Sequence, residues 1–310
     1  MIPPPTPNRL EKSPAARPMT TSRHQAALPA ATAGLLASPA MALPDEITRA
    51  LAPLRERLPV AAVLLDLDGT LAPIRPRPED VVLSPDVRRA VAELRGRAQL
   101  VGLVSGRALE DLERIVGLPG CAYAGNHGME IRRPDGRREV VAEVRPFVAC
   151  IAEFAACWGP EQLDPYGVRL ENKGVTLSFH YRTAPDARRA QDFLDREVAP
   201  AARAAGLRVT RGRKVVEVRP PVAVNKGTAV RELVAGSGCR AAAYLGDDVT
   251  DLDAWAALRA MARDGAVDFA VAVAVVDDET PQAVAAAADV ALPGTVAVLD
   301  LLRWLAASAG

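Results

Sequence analysis

The feature that most constrains the fold is the run Val63–Leu71, in which apolar residues lead directly into two aspartates and a glycine. A short, continuous apolar run that ends at a turn signal predicts a strand buried on both faces. Asp66 and Asp68 then lie at the carboxyl end of this strand, where open α/β sheets bind ligands. Side chains two residues apart on a strand point to the same side, so both carboxylates aim at one site unless the turn at Gly69 redirects them.

Two neighbouring carboxylates repel each other unless one is protonated or a cation binds beside them. Magnesium is the simplest candidate, because Mg²⁺ is a hard ion that takes oxygen ligands and keeps several of its waters. The competing interpretation of Asp66 and Asp68 is an ordinary turn at the end of a strand, where Asp and Gly are common.

Three later segments place polar residues at predicted strand ends or at a helix start. A serine at a strand end lies where ligands bind, an arginine guanidinium suits phosphate oxygens, and a lysine at a helix start is able to reach back to Asp66. A helix N-cap and an exposed lysine are the competing interpretations. The segments are Ser105-Gly106-Arg107, Asn225-Lys226-Gly227 and Gly246-Asp247-Asp248-Val249-Thr250-Asp251.

Composition limits the class of protein. The chain has 310 residues, enough for two domains, and 49% of them are hydrophobic, enough for a core. The formal net charge is +0, so no global field favours nucleic acid or a membrane, and we expect neither as a partner. No apolar run of about 18 residues predicts a transmembrane helix. The four cysteines form no C-x-x-C pair. We expect a cytoplasmic monomer.

The chain divides into three parts. Residues 1–43 are rich in Pro, Ala, Ser and Thr, which predicts a disordered tail rather than a signal peptide. Residues 44–142 and 219–310 alternate buried strands with helices, which is typical of an α/β domain with a parallel sheet. Residues 143–218 read as helix, hairpin, helix, hairpin, which predicts an inserted α+β unit.

The local patterns also predict individual elements. Apolar periodicity predicts helices over 45–58, 86–97, 145–158, 186–204, 253–263, 281–288 and 294–307. Apolar runs and alternation predict a strand that begins at Val63 and carries the two aspartates at its carboxyl end. They also predict strands over 100–104, 121–124, 168–171, 175–181, 207–210, 214–218, 241–245 and 270–276, with a further hairpin through Pro134-Asp135-Gly136.

The motifs D-x-D-G-T, S-G-R, N-K-G and G-D-D-x-T-D resemble the four motifs of the haloacid dehalogenase superfamily, in the same order. The resemblance covers residues 60–305 and implies a Rossmann-like core with a parallel sheet and an α+β cap. It implies that Asp66 is the nucleophile that forms an aspartyl-phosphate and that Asp68 is the general acid and base. Ser105 would bond a phosphoryl oxygen, and Lys226 would offset the charge of the aspartyl-phosphate.

The same resemblance implies how the cation is held. Mg²⁺ would be bound by the carboxylates of Asp66 and Asp247 and by the main-chain carbonyl of Asp68. Asp248 and Asp251 would lie nearby, where they bind water on the metal or orient the motif lysine.

A narrower likeness rests on G-N-H-G-x-E-I, E-N-K-G, H-Y-R and K-V-x-E-V-R-P, which resemble the trehalose-phosphate phosphatase family. It implies hydrolysis of trehalose 6-phosphate to trehalose and phosphate, with a trehalose-phosphate synthase as a functional partner. The family usually carries Glu where this chain has Leu252, which touches no predicted primary ligand. The implied substrate-binding residues are Arg107, Asn126, His127, Glu171, Lys173, Arg182 and Glu217.

Other functions remain open at this point. A phosphatase for sucrose phosphate or glucosylglycerol phosphate would use the same core. A sugar phosphomutase would also use it but would rebind its intermediate. A non-catalytic sugar-phosphate sensor would have lost Asp66, Asp68, Lys226 or Asp247, and all four are present.

Overall fold

A computed structural model describes residues 43–212, 214–278 and 280–308, so the predicted tail lies outside the described residues except for its last position. The described strands are β1 (Ala61–Leu65), β2 (Leu100–Val104), β3 (Ala122–Gly125), β4 (Glu130–Arg132), β5 (Arg138–Val140), β6 (Arg169–Asn172), β7 (Leu177–His180), β8 (Arg208–Gly212), β9 (Val215–Arg219), β10 (Ala241–Gly246), β11 (Phe269–Val276) and β12 (Val290–Pro293). The described α-helices are α1 (Asp45–Glu56), α2 (Pro85–Arg95), α3 (Leu109–Val116), α4 (Val148–Ala156), α5 (Pro160–Leu163), α6 (Ala187–Phe193), α7 (Ala199–Ala204), α8 (Lys226–Val234), α9 (Asp251–Arg263), α10 (Gln282–Ala287) and α11 (Gly294–Ala306).

An eight-stranded sheet has the order β12-β11-β10-β1-β2-β3-β4-β5. The strands from β12 to β3 run parallel, and the hairpin β4–β5 adds two antiparallel strands at one edge. Strand β1 lies at the centre, where Val63 pairs with Val101 of β2 and with Ala243 of β10. All of β1 is buried, as its unbroken apolar sequence predicts. The carboxyl ends of β1, β2 and β10 therefore meet at one edge of the sheet.

Helices cover both faces of this sheet. On one face, α1, α2, α3 and α11 share an apolar cluster with the strands. On the other face, α8, α9 and α10 share a second cluster, in which the indole of the buried Trp255 donates to the carbonyl of Tyr244 at 3.2 Å. A parallel sheet between two helical layers confirms the predicted Rossmann-like α/β core.

A second, four-stranded antiparallel sheet has the order β6-β7-β9-β8. Its apolar side chains, among them Phe179 and Val216, alternate with polar ones and pack on α4, α6 and α7. The opposite face carries Glu171 and Glu217, which lie in register with Ser178 on the strand between them. This sheet and its helices are the α+β unit that the sequence pattern of the insertion predicts.

The exact boundaries of the insertion, 143–218, stay a proposal. Support comes from an apolar cluster drawn from residues 147–218, which is separate from the two clusters of the large sheet. Within the part of the chain that the structure describes, no helix is long and apolar enough to cross a membrane.

Several predicted bounds need correction. Strand β1 ends at Leu65, so Asp66 and Asp68 do not lie on the one extended strand that would aim both carboxylates at one site. The predicted helix 145–158 begins with a 3₁₀ turn and is α-helical only over Val148–Ala156. The predicted helix 186–204 is interrupted by a π-helical turn over Leu194–Val198, next to the helix-breaking Pro200.

Three elements escaped the sequence patterns, and one of them is helix α3, Leu109–Val116, for which no helical range was predicted. Strand β12 is a four-residue edge strand that ends in a proline, so it gives neither a long apolar run nor clear alternation. Helix α5 is a single turn that begins at Pro160, too short to show helical periodicity. Helix α9 also begins two residues earlier than predicted, at Asp251, which brings this carboxylate into the site.

Candidate active site

The site forms where three neighbouring parallel strands end. Asp66 follows β1, Ser105 follows β2 and Asp247 follows β10. Asp66 and Ser105 are 5% and 2% exposed, so both functional groups are withdrawn from solvent. The sequence predicted these three residues at strand ends, and the strand order brings the ends together.

Asp66 is paired with the lysine that begins α8. The ammonium of Lys226 lies 2.7 Å from Oδ2 of Asp66, and the main-chain N–H of Leu67 donates to Oδ1 at 2.7 Å. Lys226 is 2% exposed and is held at the helix start by a capping box, in which Asn225 and Thr228 exchange side-chain and main-chain hydrogen bonds. The cap fixes where α8 begins and therefore where the ammonium lies.

Asp251 orients this lysine from the other side. Its Oδ1 accepts from Lys226 at 2.6 Å and from the hydroxyl of Tyr244 at 2.7 Å. Its Oδ2 accepts from the main-chain N–H groups of Asp247 and Asp248 at 3.0 and 2.9 Å. Both oxygens thus already have two donors each, which leaves Asp251 to fix the lysine and the loop after β10.

Asp247 lies against the turn of the first motif. The hydroxyl of Thr70 donates to its Oδ1 at 3.0 Å. Gly69 has φ +82°, and a Cβ built there would lie 2.1 Å from Oδ2 of Asp247. Only glycine satisfies both the left-handed backbone and the close approach. The glycine and threonine of D-x-D-G-T therefore position the aspartate of the fourth motif.

The charges in this cluster do not balance. Oxygens of Asp66, Asp247 and Asp251 lie within 4.8 Å of one another, beside the one ammonium of Lys226. Burial raises the pKa of Asp66 well above its ordinary value, against the opposing attraction of Lys226. Burial and the charge of Asp251 raise the pKa of Asp247 to about 7. Burial alone would lower the pKa of Lys226, but Asp251 and Asp66 raise it instead.

This donor set fits a hard divalent cation. Carboxylate oxygens are the ligands such ions prefer, and a cation relieves the mutual repulsion of the three carboxylates. Oδ2 of Asp247 has no hydrogen-bond donor among the described residues, and Asp66 has one donor on each oxygen. Asp66 and Asp247 therefore retain lone pairs for a cation, whereas the oxygens of Asp251 are already used.

Asp68 points to a different partner. The guanidinium of Arg107 binds both of its oxygens, at 2.6 and 2.7 Å, and also donates to the carbonyl of Pro78 at 2.9 Å. The side chain of Asp68 is 32% exposed, far more than that of Asp66. The two aspartates of the first motif thus face different neighbours, because the chain turns after β1. The predicted contact between Arg107 and substrate stays a prediction.

The segment after β3 packs on the segment after β2. The N–H of Asn126 donates to the carbonyl of Arg107 at 2.6 Å, and the N–H of His127 donates to that of Ser105 at 2.9 Å. The ring of His127 covers Gly106, where an added Cβ would lie 2.6 Å from Cε1. Burial, together with nearby lysines and an arginine, lowers the pKa of His127 well below its ordinary value, so the imidazole is neutral at pH 7.

The side chains predicted to bind the sugar lie on the second sheet and its turns. Glu171 contacts His180 at 2.7 Å, and Thr210 donates to Glu217 at 3.4 Å. Lys173 reaches from the turn after β6 to the carbonyl of Gly106, at 3.2 Å, and its ammonium lies 3.8 Å from Glu217.

Arg182 lies farther along the same face. It lines a cleft of about 360 Å³ between the second sheet and the loop 75–79 that follows the first motif. Of the predicted sugar-binding side chains, Lys173 is thus held against the core, whereas Arg182 is exposed at this cleft.

Two predicted residues lie apart from the cluster. Asp248 is exposed, and its carboxylate accepts only a long hydrogen bond, 3.4 Å, from Thr250. Leu252 is half-buried and packs against the apolar cluster of α8 and α9, so the residue that replaces the usual Glu serves the core.

The sequence patterns missed three polar residues: Thr70, Tyr244 and Thr176. Thr70 belongs to the D-x-D-G-T motif itself, and Tyr244 is the one polar side chain in the apolar strand β10, which is the signal that marks it.

Replacement of Lys226 by methionine should destabilise the protein and show how strongly the carboxylates depend on it. Loss of one partner of a buried ion pair costs about 3–5 kcal/mol of unfolding free energy. The loss should be smaller at low pH, because the raised pKa of Asp66 rises further without the ammonium and protonation then relieves the repulsion. Urea unfolding with chelator, at about pH 5.5 and about pH 8, measures both values.

The matched control is Lys214→Met, which removes an exposed lysine in the turn that precedes β9 and should change the unfolding free energy little at either pH. Equal destabilisation by the two variants, or a larger loss at the lower pH, would contradict the buried-pair interpretation.

Comparison with known proteins agrees with this geometry. A model of the trehalose-phosphatase family matches residues 64–291. The chain is 38% identical over 214 residues to a trehalose-phosphate phosphatase of Mycobacterium avium, covering 64% of this chain and 51% of that protein. It is 39% identical over 207 residues to a trehalose-phosphate phosphatase of Mycobacterium tuberculosis, covering 63% of this chain and 50% of that protein. The chain thus spans about half the length of these curated relatives.

Solved structures share the fold. The C-terminal domain of the Candida albicans trehalose-6-phosphate phosphatase superposes with a TM-score of 0.66 at 23% identity, over 86% of this chain and 98% of that one. A haloacid dehalogenase-like hydrolase from Bacteroides thetaiotaomicron superposes with a TM-score of 0.54 at 17% identity, over 79% and 98%. These likenesses establish the haloacid dehalogenase fold. Because the family model matches most of the described residues, the chain belongs to the trehalose-phosphatase family.

Proposed function

We propose that this protein is a magnesium-dependent phosphatase that hydrolyses trehalose 6-phosphate to trehalose and phosphate through an aspartyl-phosphate on Asp66. The observation that carries the proposal is the buried Lys226–Asp66 pair beside Asp247, in a chain that the trehalose-phosphatase model matches. Sugar hydroxyls would meet the polar face of the second sheet, which supports a sugar phosphate as the substrate class.

Asp66 is the proposed nucleophile. One carboxylate oxygen attacks phosphorus, the bond between phosphorus and the sugar oxygen breaks, and the leaving oxygen takes a proton from Asp68. Water then attacks the phosphorus of the aspartyl-phosphate and gives a proton to Asp68, which restores Asp66 and releases phosphate. One water is consumed in each cycle.

Asp68 must be released from Arg107 to carry out these proton transfers. Both of its oxygens accept hydrogen bonds from the guanidinium. A phosphate dianion offers the same guanidinium an alternative pair of oxygens. We propose that Arg107 turns toward the phosphate on binding and frees Asp68 to hold a proton.

Lys226 and Ser105 stabilise charge on the phosphoryl group. The ammonium is held within reach of Asp66 by Asp251, so it is already in place when negative charge develops on the phosphoryl oxygens. The hydroxyl of Ser105 accepts from the N–H of Arg107 at 3.3 Å, which leaves its proton for a phosphoryl oxygen.

Mg²⁺ would be held by Asp66, Asp247 and the main-chain carbonyl of Asp68. When bound, it supplies positive charge that lets a phosphate dianion approach a carboxylate and stabilises the transition state. Thr70 and Gly69 hold Asp247 in position, and Asp251 fixes the preceding turn through its bonds to the main chain.

The second sheet would act as a cap that selects the disaccharide. Glu171, Lys173, Arg182 and Glu217 are the proposed contacts for sugar hydroxyls, with Asn126 and His127 at the core side of the cleft. Closure of this sheet over the core would exclude water other than the attacking one.

We also propose the setting of this reaction. A synthase that joins two sugars and leaves a phosphate on the product would supply the substrate, which makes a trehalose-phosphate synthase the functional partner. We propose that the enzyme acts as a cytoplasmic monomer.

Phosphate release from a panel of sugar phosphates, with Mg²⁺ and with chelator, tests the proposal directly. Chelator-sensitive preference for trehalose 6-phosphate is the expected result. Preference for sucrose phosphate or glucosylglycerol phosphate would retain the chemistry and replace the substrate. Conversion of one sugar phosphate to another without phosphate release would point to a phosphomutase instead.

Asp66→Asn should lower turnover by at least about a thousandfold, because an amide oxygen is a poor nucleophile toward phosphorus. The fold should persist, since the amide has nearly the same shape as the carboxylate. Steady-state phosphate release and circular dichroism measure the two effects. Asp264→Asn, the same change at the exposed far end of α9, is the control and should retain wild-type turnover. Appreciable turnover by Asp66→Asn would remove this residue from the nucleophile role.

Stabilisation by Mg²⁺ should be larger at about pH 8 than at about pH 5.5. The pKa of Asp247 is about 7 without a cation, so at the lower pH the cation must displace a proton. A carboxyl whose pKa is raised by folding stabilises the metal-free protein at low pH, and that contribution is lost as pH rises through 7. Thermal unfolding with Mg²⁺ or chelator gives the melting temperature, Tm, at each pH, and Asp247→Asn should abolish most of the shift. An equal Mg²⁺ shift at both pH values would be inconsistent with this prediction.

A further inference from the structure

The turn between β6 and β7, residues 172–176, is fixed by its own hydrogen bonds. The main-chain N–H of Lys173 donates to the carbonyl of Thr176 at 2.9 Å, and that of Gly174 donates to Oδ1 of Asn172 at 2.9 Å. Gly174 has φ +80°, which a glycine adopts without strain. Because these bonds fix the shape of the turn, holding the Thr176 hydroxyl and the Lys173 carbonyl in place also fixes the position of the Lys173 Cα.

A single amide in the core fixes both sides of this turn. The hydroxyl of Thr176 donates to Oδ1 of Asn126 at 2.6 Å, and Nδ2 of Asn126 donates to the carbonyl of Lys173 at 3.2 Å. Asn126 is 1% exposed and Thr176 is 7% exposed, so water does not replace these bonds. Buried hydrogen bonds of this kind are costly to leave unmade.

Asn126 is itself held rigidly. Its second amide hydrogen is donated to the carboxylate of Glu130, and its main-chain N–H is donated to Arg107. Its backbone has φ +50°, a conformation that non-glycine residues adopt only where the surroundings hold them. Both amide hydrogens and one lone pair are thus committed within the protein.

The result of this anchoring is the position of the Lys173 ammonium. It lies 3.2 Å from the carbonyl of Gly106, between the proposed phosphate residues Ser105 and Arg107, and 3.8 Å from Glu217 of the second sheet. Val175, next to the anchor, packs with residues of the two segments that connect the sheets. The lysine therefore lies where the phosphate and sugar ends of a substrate meet.

We infer that Thr176 is a positioning residue: through Asn126 it holds Lys173 at the junction of the two sheets and so sets the affinity for sugar phosphates that reach the second sheet. The inference rests on the proposed function for its substrate class. Thr176 touches no substrate in this view. A phosphate ester too small to reach Lys173 would gain nothing from the anchor.

Thr176→Val tests this inference with little change of shape, because valine replaces the hydroxyl by a methyl group. Without the Thr176 hydroxyl, the turn no longer holds Lys173 in its binding position. Part of the free energy of substrate binding is then used to order the turn and the lysine. We expect KM for trehalose 6-phosphate to rise about five- to thirtyfold, the range for loss of one buried hydrogen bond. kcat for that substrate, and kcat/KM for p-nitrophenyl phosphate, should stay within about twofold, since Asp66 and Lys226 are untouched.

Two further variants make the result specific. Thr176→Ser restores the donor and should recover most of the wild-type KM. Thr48→Val removes a hydroxyl that bonds the carbonyl of Asp45 in α1, far along the chain, and should leave both substrates unaffected. Loss of activity toward both substrates in Thr176→Val, or failure of serine to rescue it, would show a general structural role and overturn the inference.

Amide hydrogen exchange gives a second readout that needs no activity. The N–H groups of Lys173 and Val175, which are bonded within the turn, should exchange faster in Thr176→Val than in wild type or Thr176→Ser. If exchange is faster in Thr176→Val but the wild-type protein prefers another sugar phosphate, the proposed substrate is refuted and the role of Thr176 in holding the turn is kept. Unchanged exchange together with unchanged KM would overturn the anchor, whatever the substrate.

Discussion

The site depends on one buried ammonium shared by two carboxylates. Lys226 at the start of α8 bonds Asp66 after β1 and Asp251 at the start of α9. A lysine this deeply buried needs both partners to replace its lost hydration, which draws three elements to one point. The close approach of α8 and α9 also requires a glycine at position 227, because a Cβ on Gly227 would lie 2.4 Å from the carbonyl of Asp253 on α9.

The same convergence leaves an excess of negative charge. Asp247 lies beside the carboxylates of Asp66 and Asp251. Its pKa is raised because ionising it there, without a cation, is unfavourable. Such a cluster weakens the metal-free fold at neutral pH, yet it provides the oxygen ligands that a divalent cation needs. Stability is thus given up at the place where the proposed chemistry would occur.

The second sheet meets the core on the loops that carry the proposed phosphate contacts, Ser105 and Arg107. The turn holding Lys173 rests on Asn126, and Asn126 and His127 are bonded in turn to the main chain of Ser105 and Arg107. The proposed sugar contacts and the proposed phosphate contacts therefore share one set of main-chain contacts. A change in the position of the second sheet would reach the loop after β2 through these hydrogen bonds and through the small apolar cluster that contains Val175 and Met129.

The local sequence pattern alone determined the parallel sheet, the inserted α+β unit and the strand-end positions of Asp66, Ser105 and Asp247. It could do so because apolar runs and turn residues act over neighbouring positions in the chain. Only the tertiary structure decided which side chains meet there. Arg107 pairs with Asp68 across 39 residues and Thr176 with Asn126 across 50, and Tyr244 serves Asp251 from within an apolar strand. Such pairs depend on how strands and loops are arranged in space, which periodicity along the chain does not specify.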